Sequence, residues 1–159
     1  MSGGTDGRDE TQAERLDRNW DDILQELRVV QTGVQLMSGF LLTLPFTTRF
    51  ADLDTWQTRL YLAVVLVAAL AIAVTLVPIV VHRRVFGEHV KDRVVATGHA
   101  LTQVVMALLA MILVGISTLI FSVVAGWTAA LVVAGVAIVA LVALLVVVPL
   151  VVAGDHARE

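Results

Sequence analysis

Residues 100–154 read ALTQVVMALLAMILVGISTLIFSVVAGWTAALVVAGVAIVALVALLVVVPLVVAG, 55 consecutive positions without a charge. A hydrocarbon core of roughly 30 Å takes about 20 helical residues to cross, so this run holds two spans with a turn between them. Working outward, residues 60–81, from Leu60 through Val81, also carry no charge. Val29–Phe46 is a fourth, more polar candidate. None of these runs alternates apolar with polar positions, as barrel strands would, so helices are the reading. The composition agrees: 58% of residues are apolar and 16% charged, which is not that of a soluble domain.

Several function classes fall away at once. A net charge of −3 leaves no footprint for nucleic acid. With no cysteine there is no disulfide, thiolate catalysis or cysteine-based metal site. The first apolar run starts near Val29, behind a long charged tail, which argues against a cleaved signal peptide.

The sequence divides as a tail at 1–11, an amphipathic helix at 12–27, a first transmembrane hairpin at 28–82, a basic linker at 83–98, a second hairpin at 99–153 and a tail at 154–159. Thr11 with Glu14 fits a capping box. Leu16, Trp20, Ile23, Leu24 and Leu27 then recur at helical spacing, giving a helix that lies on the membrane or runs straight into span 1. Span 1 covers 28–46 and ends at Pro45; Asp54 followed by Gln57 caps span 2, at 55–82, with Pro78 in its last turns. Gly87 is a natural stop, and His89–Thr97 a start to the third helix. Span 3 covers 99–122, and the Ala125-Gly126-Trp127 turn leads to span 4, at 127–152, ended by Gly154.

The basic residues orient the bundle. One side receives Arg8, Arg15, Arg18, Arg28, Arg83, Arg84, Lys91, Arg93 and Arg158; the other receives only Arg49 and Arg59. Both termini are therefore expected in the cytoplasm. Trp56, Tyr61 and Trp127 fall near the outer ends, as an aromatic belt would.

The halves align at an offset of 71 residues without a gap. Phe50 meets Phe121, Trp56 meets Trp127, and the words Val77-Pro78-Ile79-Val80-Val81 and Val148-Pro149-Leu150-Val151-Val152 coincide. Valine-rich helices match by chance, but a chain with five Phe, three Trp and three Pro matches these less readily. A duplicated two-helix hairpin implies a parallel repeat about an axis along the membrane normal.

Chemistry points to span 1. At 100° per residue, Arg28, Gln31, Thr32, Gln35, Ser38 and Gly39 fall within one wedge, with Val30, Val34, Met37, Phe40 and Leu41 on the opposite side. Amides in hydrocarbon are costly unless partnered, so the wedge is expected to face protein or water. Interhelical hydrogen bonding and a hydrophilic lining for an ion, water or small polar solute both fit. His99 and Gln103 on span 3, with Met106, Ala110 and Ser117, form a weaker echo that could meet the first stripe at the pseudo-two-fold axis. No Asp or Glu lies between Asp54 and Glu88 or between Asp92 and Asp155, where ion-coupled transport would place one. Arg28 suits snorkelling and His99 an interfacial hydrogen bond. The acids of the N-terminal helix suit pairing with Arg83, Arg84, His89, Lys91 and Arg93, or these bases meet lipid headgroups. His82 and His89 alone make a weak metal signal. No nucleotide loop, catalytic triad or metal-ligand cluster is seen, so neither an enzyme nor a cofactor is expected.

The stretch Glu26-Leu27-Arg28-Val29-Val30-Gln31-Thr32-Gly33-Val34-Gln35, with Gly39-Phe40-Leu41-Leu42-Thr43-Leu44-Pro45-Phe46 and Arg49-Phe50 beyond it, resembles an uncharacterised actinobacterial family of small four-span membrane proteins. The resemblance implies a bacterial inner membrane and an unassigned role. Some members are labelled sodium:proton antiporter, a chemistry for which this chain's spans lack the carboxylate. The reading is an all-α, four-transmembrane-helix bundle in the lipid bilayer, a homo-oligomer with channel-like or transporter-like character lined by Gln31, Gln35 and Ser38. The alternative is a non-conducting structural or accessory subunit that binds another membrane protein.

Overall fold

The computed structural model describes residues 12–85 and 91–150. They form α1 (Gln12–Thr43), two 3-10 turns (Leu44–Phe46 and Thr48–Asp52), α2 (Thr55–Val85), α3 (Lys91–Ala125) and α4 (Trp127–Val142). A π turn, Ala143–Val147, carries α4 on to Leu150. Among the described residues there is no strand. Four stretches are long and apolar enough to cross a membrane: Asp21–Phe46, Thr55–Pro78, Ala100–Ala125 and Trp127–Leu150. The chain is an all-helical membrane protein. Thr11, Gly87, His89, Gly154 and both terminal tails lie outside the described residues, as do the side chains of Leu16, Trp20, His82, Arg83, Arg84, Lys91, Arg93 and His99.

The helix that starts at Gln12 runs unbroken into the first span. It ends at Thr43 because Pro45, whose φ is fixed and whose N–H is missing, instead opens a 3-10 turn. Residues 44–54 then make a compact link to α2. The second link is far shorter: Gly126 alone, at φ 84°, joins α3 to α4. That left-handed backbone favours glycine, which has no Cβ to clash. α3 consequently runs to Ala125, beyond the predicted end at 122. We call the side holding residues 44–54 and Gly126 the loop end.

The core belongs to three helices rather than four. Val34 and Leu41 of α1 meet Tyr61, Val64, Ala68 and Ala71 of α2 and Ile112 and Leu119 of α3 in one buried cluster. A smaller cluster, Ile23 and Leu27 with Val105, extends the α1–α3 seam away from the loop end. Leu27, Val34 and Leu41 recur every seven residues, which keeps one side of α1 turned to its neighbours. Among the described residues, α1 packs on α2 and α3, whereas α4 packs on α3 alone. Only Ala130 of α4 (Trp127–Val142) is buried.

α2 and α3 approach each other closely. Gly115 lies directly under the side chain of Val64, and a Cβ there would collide with it. Small residues let membrane helices come this close, where dispersion rather than water release drives association. Pro78 is buried inside α2, which continues past it. Two bonds fasten the loop end of the core: Tyr61 Oη donates to the Leu41 carbonyl at 3.1 Å, and the Phe50 ring stands edge-on to Tyr61 at 5.0 Å. Tyr61, predicted for the aromatic belt, is thus a buried tie between α1 and α2.

Gly115→Ala is expected to destabilise the fold by about 1–3 kcal/mol, the usual range for overpacking. Thermal unfolding in detergent should show most of that loss recovered in Gly115→Ala/Val64→Ala. Equal midpoints for the two variants would remove the close approach as its cause.

Candidate functional site

The polar stripe of α1 sorts by how each side chain can satisfy itself. Ser38 is buried, and its hydroxyl donates to the Val34 carbonyl at 2.7 Å. Thr32, although exposed, donates to the Arg28 carbonyl at 2.9 Å. Such bonds back to the preceding turn are the short hydroxyls' local solution inside an apolar layer. The glutamines differ, since an amide brings two N–H donors as well as an acceptor. Gln31 is half-buried and Gln35 exposed. Beside them Gly39 is open, with no atom within 4 Å of where its Cβ would stand.

Within one copy, then, the wedge does not turn into the bundle. Val34 and Leu41 occupy the packed side, with Val30 and Met37 against them, while Phe40 points out at 64% exposure. The physical reason lies in the partners. α2 and α3 offer Val64, Ala68, Ala71 and Ile112 to this seam, with no side-chain donor or acceptor, beside Tyr61, whose hydroxyl already donates to the Leu41 carbonyl. An amide buried there would go unpaired, at a cost of a few kcal/mol. Arg28, Gln31, Thr32 and Gln35 therefore share one flank of α1, next to the packed side, and Ser38 lies where the two meet.

Among the described residues, the second stripe does not join the first. Gln103 is exposed, as is Met106, whereas its neighbours Thr102 and Val105 are buried. α3 thus presents Val105 and Ile112, not Gln103, on its buried side. Thr102, like Ser38, resolves its hydroxyl locally, on the Gly98 carbonyl at 3.1 Å. Among the described residues no three His, Cys, Asp or Glu side chains gather as a metal site would require.

A polar cluster not foreseen as a unit lies at the loop end. Asp54 Oδ1 accepts from the backbone N–H groups of Trp56 at 2.7 Å and Gln57 at 2.8 Å, capping α2. Gln57 Oε1 accepts from the Asp54 N–H at 2.9 Å, which completes a reciprocal capping box. The other carboxylate oxygen, Oδ2, accepts from Trp127 Nε1 at 3.1 Å, across to the start of α4. The Arg59 guanidinium sits 5.0 Å over the Trp56 ring. The cap was legible as Asp54 with Gln57; the link to Trp127 spans 73 residues, and no local pattern announces it. The Gln57 N–H lowers the pKa of Asp54 most, followed by the Trp127 indole; slight burial opposes them and the Trp56 N–H adds to them.

Residues 9–149 match DUF6328, a family of unknown function, and the chain belongs to it. No curated protein and no solved structure matches the chain.

Because the folded-state pKa of Asp54 is depressed, its contribution is present above the unfolded value and is lost as pH falls through the folded one. Thermal midpoints should thus drop on acidification below the ordinary carboxylate range, and Asp54→Ala should remove that component. Trp127→Phe should cost less than Asp54→Ala in the same melts, since the cap survives. Adding Trp127→Phe to Asp54→Ala should cost nothing further; additive losses would show that the indole does not act through this carboxylate.

Proposed function

We propose that this member of a family without an assigned role works as a homo-oligomer in the membrane. The flank of α1 that carries Gln31, Thr32 and Gln35 lies between copies and lines a shared hydrophilic seam, channel-like or transporter-like in character. One observation carries the reading: the glutamines of span 1 lie outside the packed core of their own chain. Hydrocarbon offers an amide no partner, so a second protein surface or a water-filled seam has to.

The interior of a single copy supports placing the seam between copies. Val34, Ala71, Val105 and Ile112 are completely covered and fill the space among α1, α2 and α3. Polar lining is found on the flank instead. With nine of eleven basic residues at the end that holds both termini, that end faces the cytoplasm. The earlier resemblance makes the membrane a bacterial inner one. The repeated words at an offset of 71 residues support a duplicated hairpin, in which the first copy keeps most of the polarity. The same flank also suits a non-conducting accessory subunit bound to another membrane protein, and the measurements below separate the two.

Native mass spectrometry from a nanodisc should show more than one copy of the chain. Gln35→Leu should weaken association about tenfold, equivalent to roughly 1.4 kcal/mol and within the range of one interhelical side-chain bond. Liposomes holding the wild type should leak potassium or protons at a rate that Gln35→Leu alters. A stable monomer sinks the shared seam, and copurification with a different membrane protein at constant ratio transfers the face to the accessory role.

A further inference from the structure

We infer that the surface facing the polar flank of α1 is α4 of the next copy, so that copies join head to tail. The inference rests on the oligomeric reading above and names the contact it leaves open.

The internal register exposes the first part of the case. In α2, Val64, Ala68, Ala71, Thr75 and Pro78 are all buried. Seventy-one residues on, the corresponding positions of α4 are Gly135, Val139, Val142, Val146 and Pro149. All five are exposed, Val139 at 69%. The α1–α3 seam behaves differently: Leu27 and Gly98, Val34 and Val105, Leu41 and Ile112 are register pairs, and every member is buried. If a two-fold relation held throughout, the α2–α3 contact would have a twin between α4 and α1. Among the described residues of one copy, α1 and α4 do not pack together. The α4 side of that contact is thus open within the chain, and the polar flank of α1 is a separate open surface.

Backbone chemistry supplies the second, independent part. Pro149 has no N–H, so the carbonyl about one turn before it loses its helical donor. The helix answers with the π turn Ala143–Val147, in which the Val148 N–H reaches back to the Ala143 carbonyl. In α2 the equivalent Pro78 is buried. In α4 every residue from Val142 to Leu150 is exposed. A disturbed backbone at membrane depth is tolerated where neighbouring protein covers it and satisfies the freed groups.

Depth brings the two surfaces together. The Asp54–Trp127 bond sets the starts of α2 and α4 at one level, and the Tyr61–Leu41 bond sets α1 against α2. At 1.5 Å per residue, Gln31 then lies about 25 Å from the loop end and Leu144 about 26 Å. Gln35 and Val139 likewise lie about 19 Å and about 18 Å from it. The Gln31 amide is therefore level with the π turn of α4, and the Gln35 amide lies about one turn nearer the loop end. Because the surfaces differ, the contact is heterologous; it propagates from copy to copy and closes as a ring when the rotation permits.

The absence of native cysteine makes the test direct. Two differently tagged copies, one Gln31→Cys and one Leu144→Cys, are coexpressed and oxidised in native membranes, with Gln35→Cys and Val139→Cys as a second pair. Cross-linked heterodimers are expected from both pairs, and a single chain carrying both cysteines of a pair should give a ladder beyond the dimer. An oligomer that links Gln35→Cys to Gln35→Cys and stops at the dimer overturns the α1–α4 contact while leaving the oligomeric seam standing. An oligomer seen by native mass spectrometry without either cross-link overturns it equally. A monomer by that same measurement removes both readings.

Discussion

Everything in this bundle depends on the absence of water from the hydrocarbon layer. A peptide group there has only protein to bond with, which is why each apolar run closes its bonds within a helix. Side chains meet the same constraint individually. Thr32, Ser38, Thr75, Thr102, Thr118 and Ser122 all return their hydroxyls to a carbonyl three or four residues back. A glutamine amide, with two donors and an acceptor, is not satisfied by one such bond. Gln31, Gln35 and Gln103 are thus the groups for which one helix does not suffice.

Packing, in turn, follows shape rather than polarity. Gly115 lets α3 approach α2 until Val64 fills the space a side chain would take, and α1 closes the triangle with Val34 and Leu41. Among the described residues, α4 packs on α3 only. Its loop end is fixed by the short Gly126 turn and by the Trp127 indole on Asp54, while its far half stands clear. The hairpins that look alike in sequence consequently take unlike places. The first link, with its two 3-10 turns, wraps Phe50 onto Tyr61 and seals the core. The second is a single residue and adds no such cover.

Asp54 shows how a local motif acquires a longer reach. As an N-cap its task is to satisfy the first N–H groups of α2, and one carboxylate oxygen accomplishes that. The second oxygen is free for another donor, and the chain's return brings Trp127 to it. A residue that begins one helix thereby registers another. This tie allows levels in α1, α2 and α4 to be compared, and so puts the polar flank of α1 at a depth near that of the π turn of α4.

The sequence by itself determined the number of spans, their helical nature and where they turn at the loop end. Hydropathy over 20 residues, Pro45, Gly126 and the Asp54–Gln57 cap are local signals, and membrane solvent acts on each helix locally. It also marked the wedge from Arg28 to Gly39, because helical periodicity follows from spacing alone. Tertiary structure decided which way that wedge turns. The same periodicity places Val34 opposite and Ser38 at the margin, but only the steric match of Val34 and Leu41 with Val64 and Ile112 selects the packed side. It decided equally that Tyr61 is a buried tie, that Trp127 bonds Asp54 across 73 residues, and that α4 meets α3 alone. Each of these depends on the shapes of surfaces distant in the chain, and spacing along the chain carries no record of them.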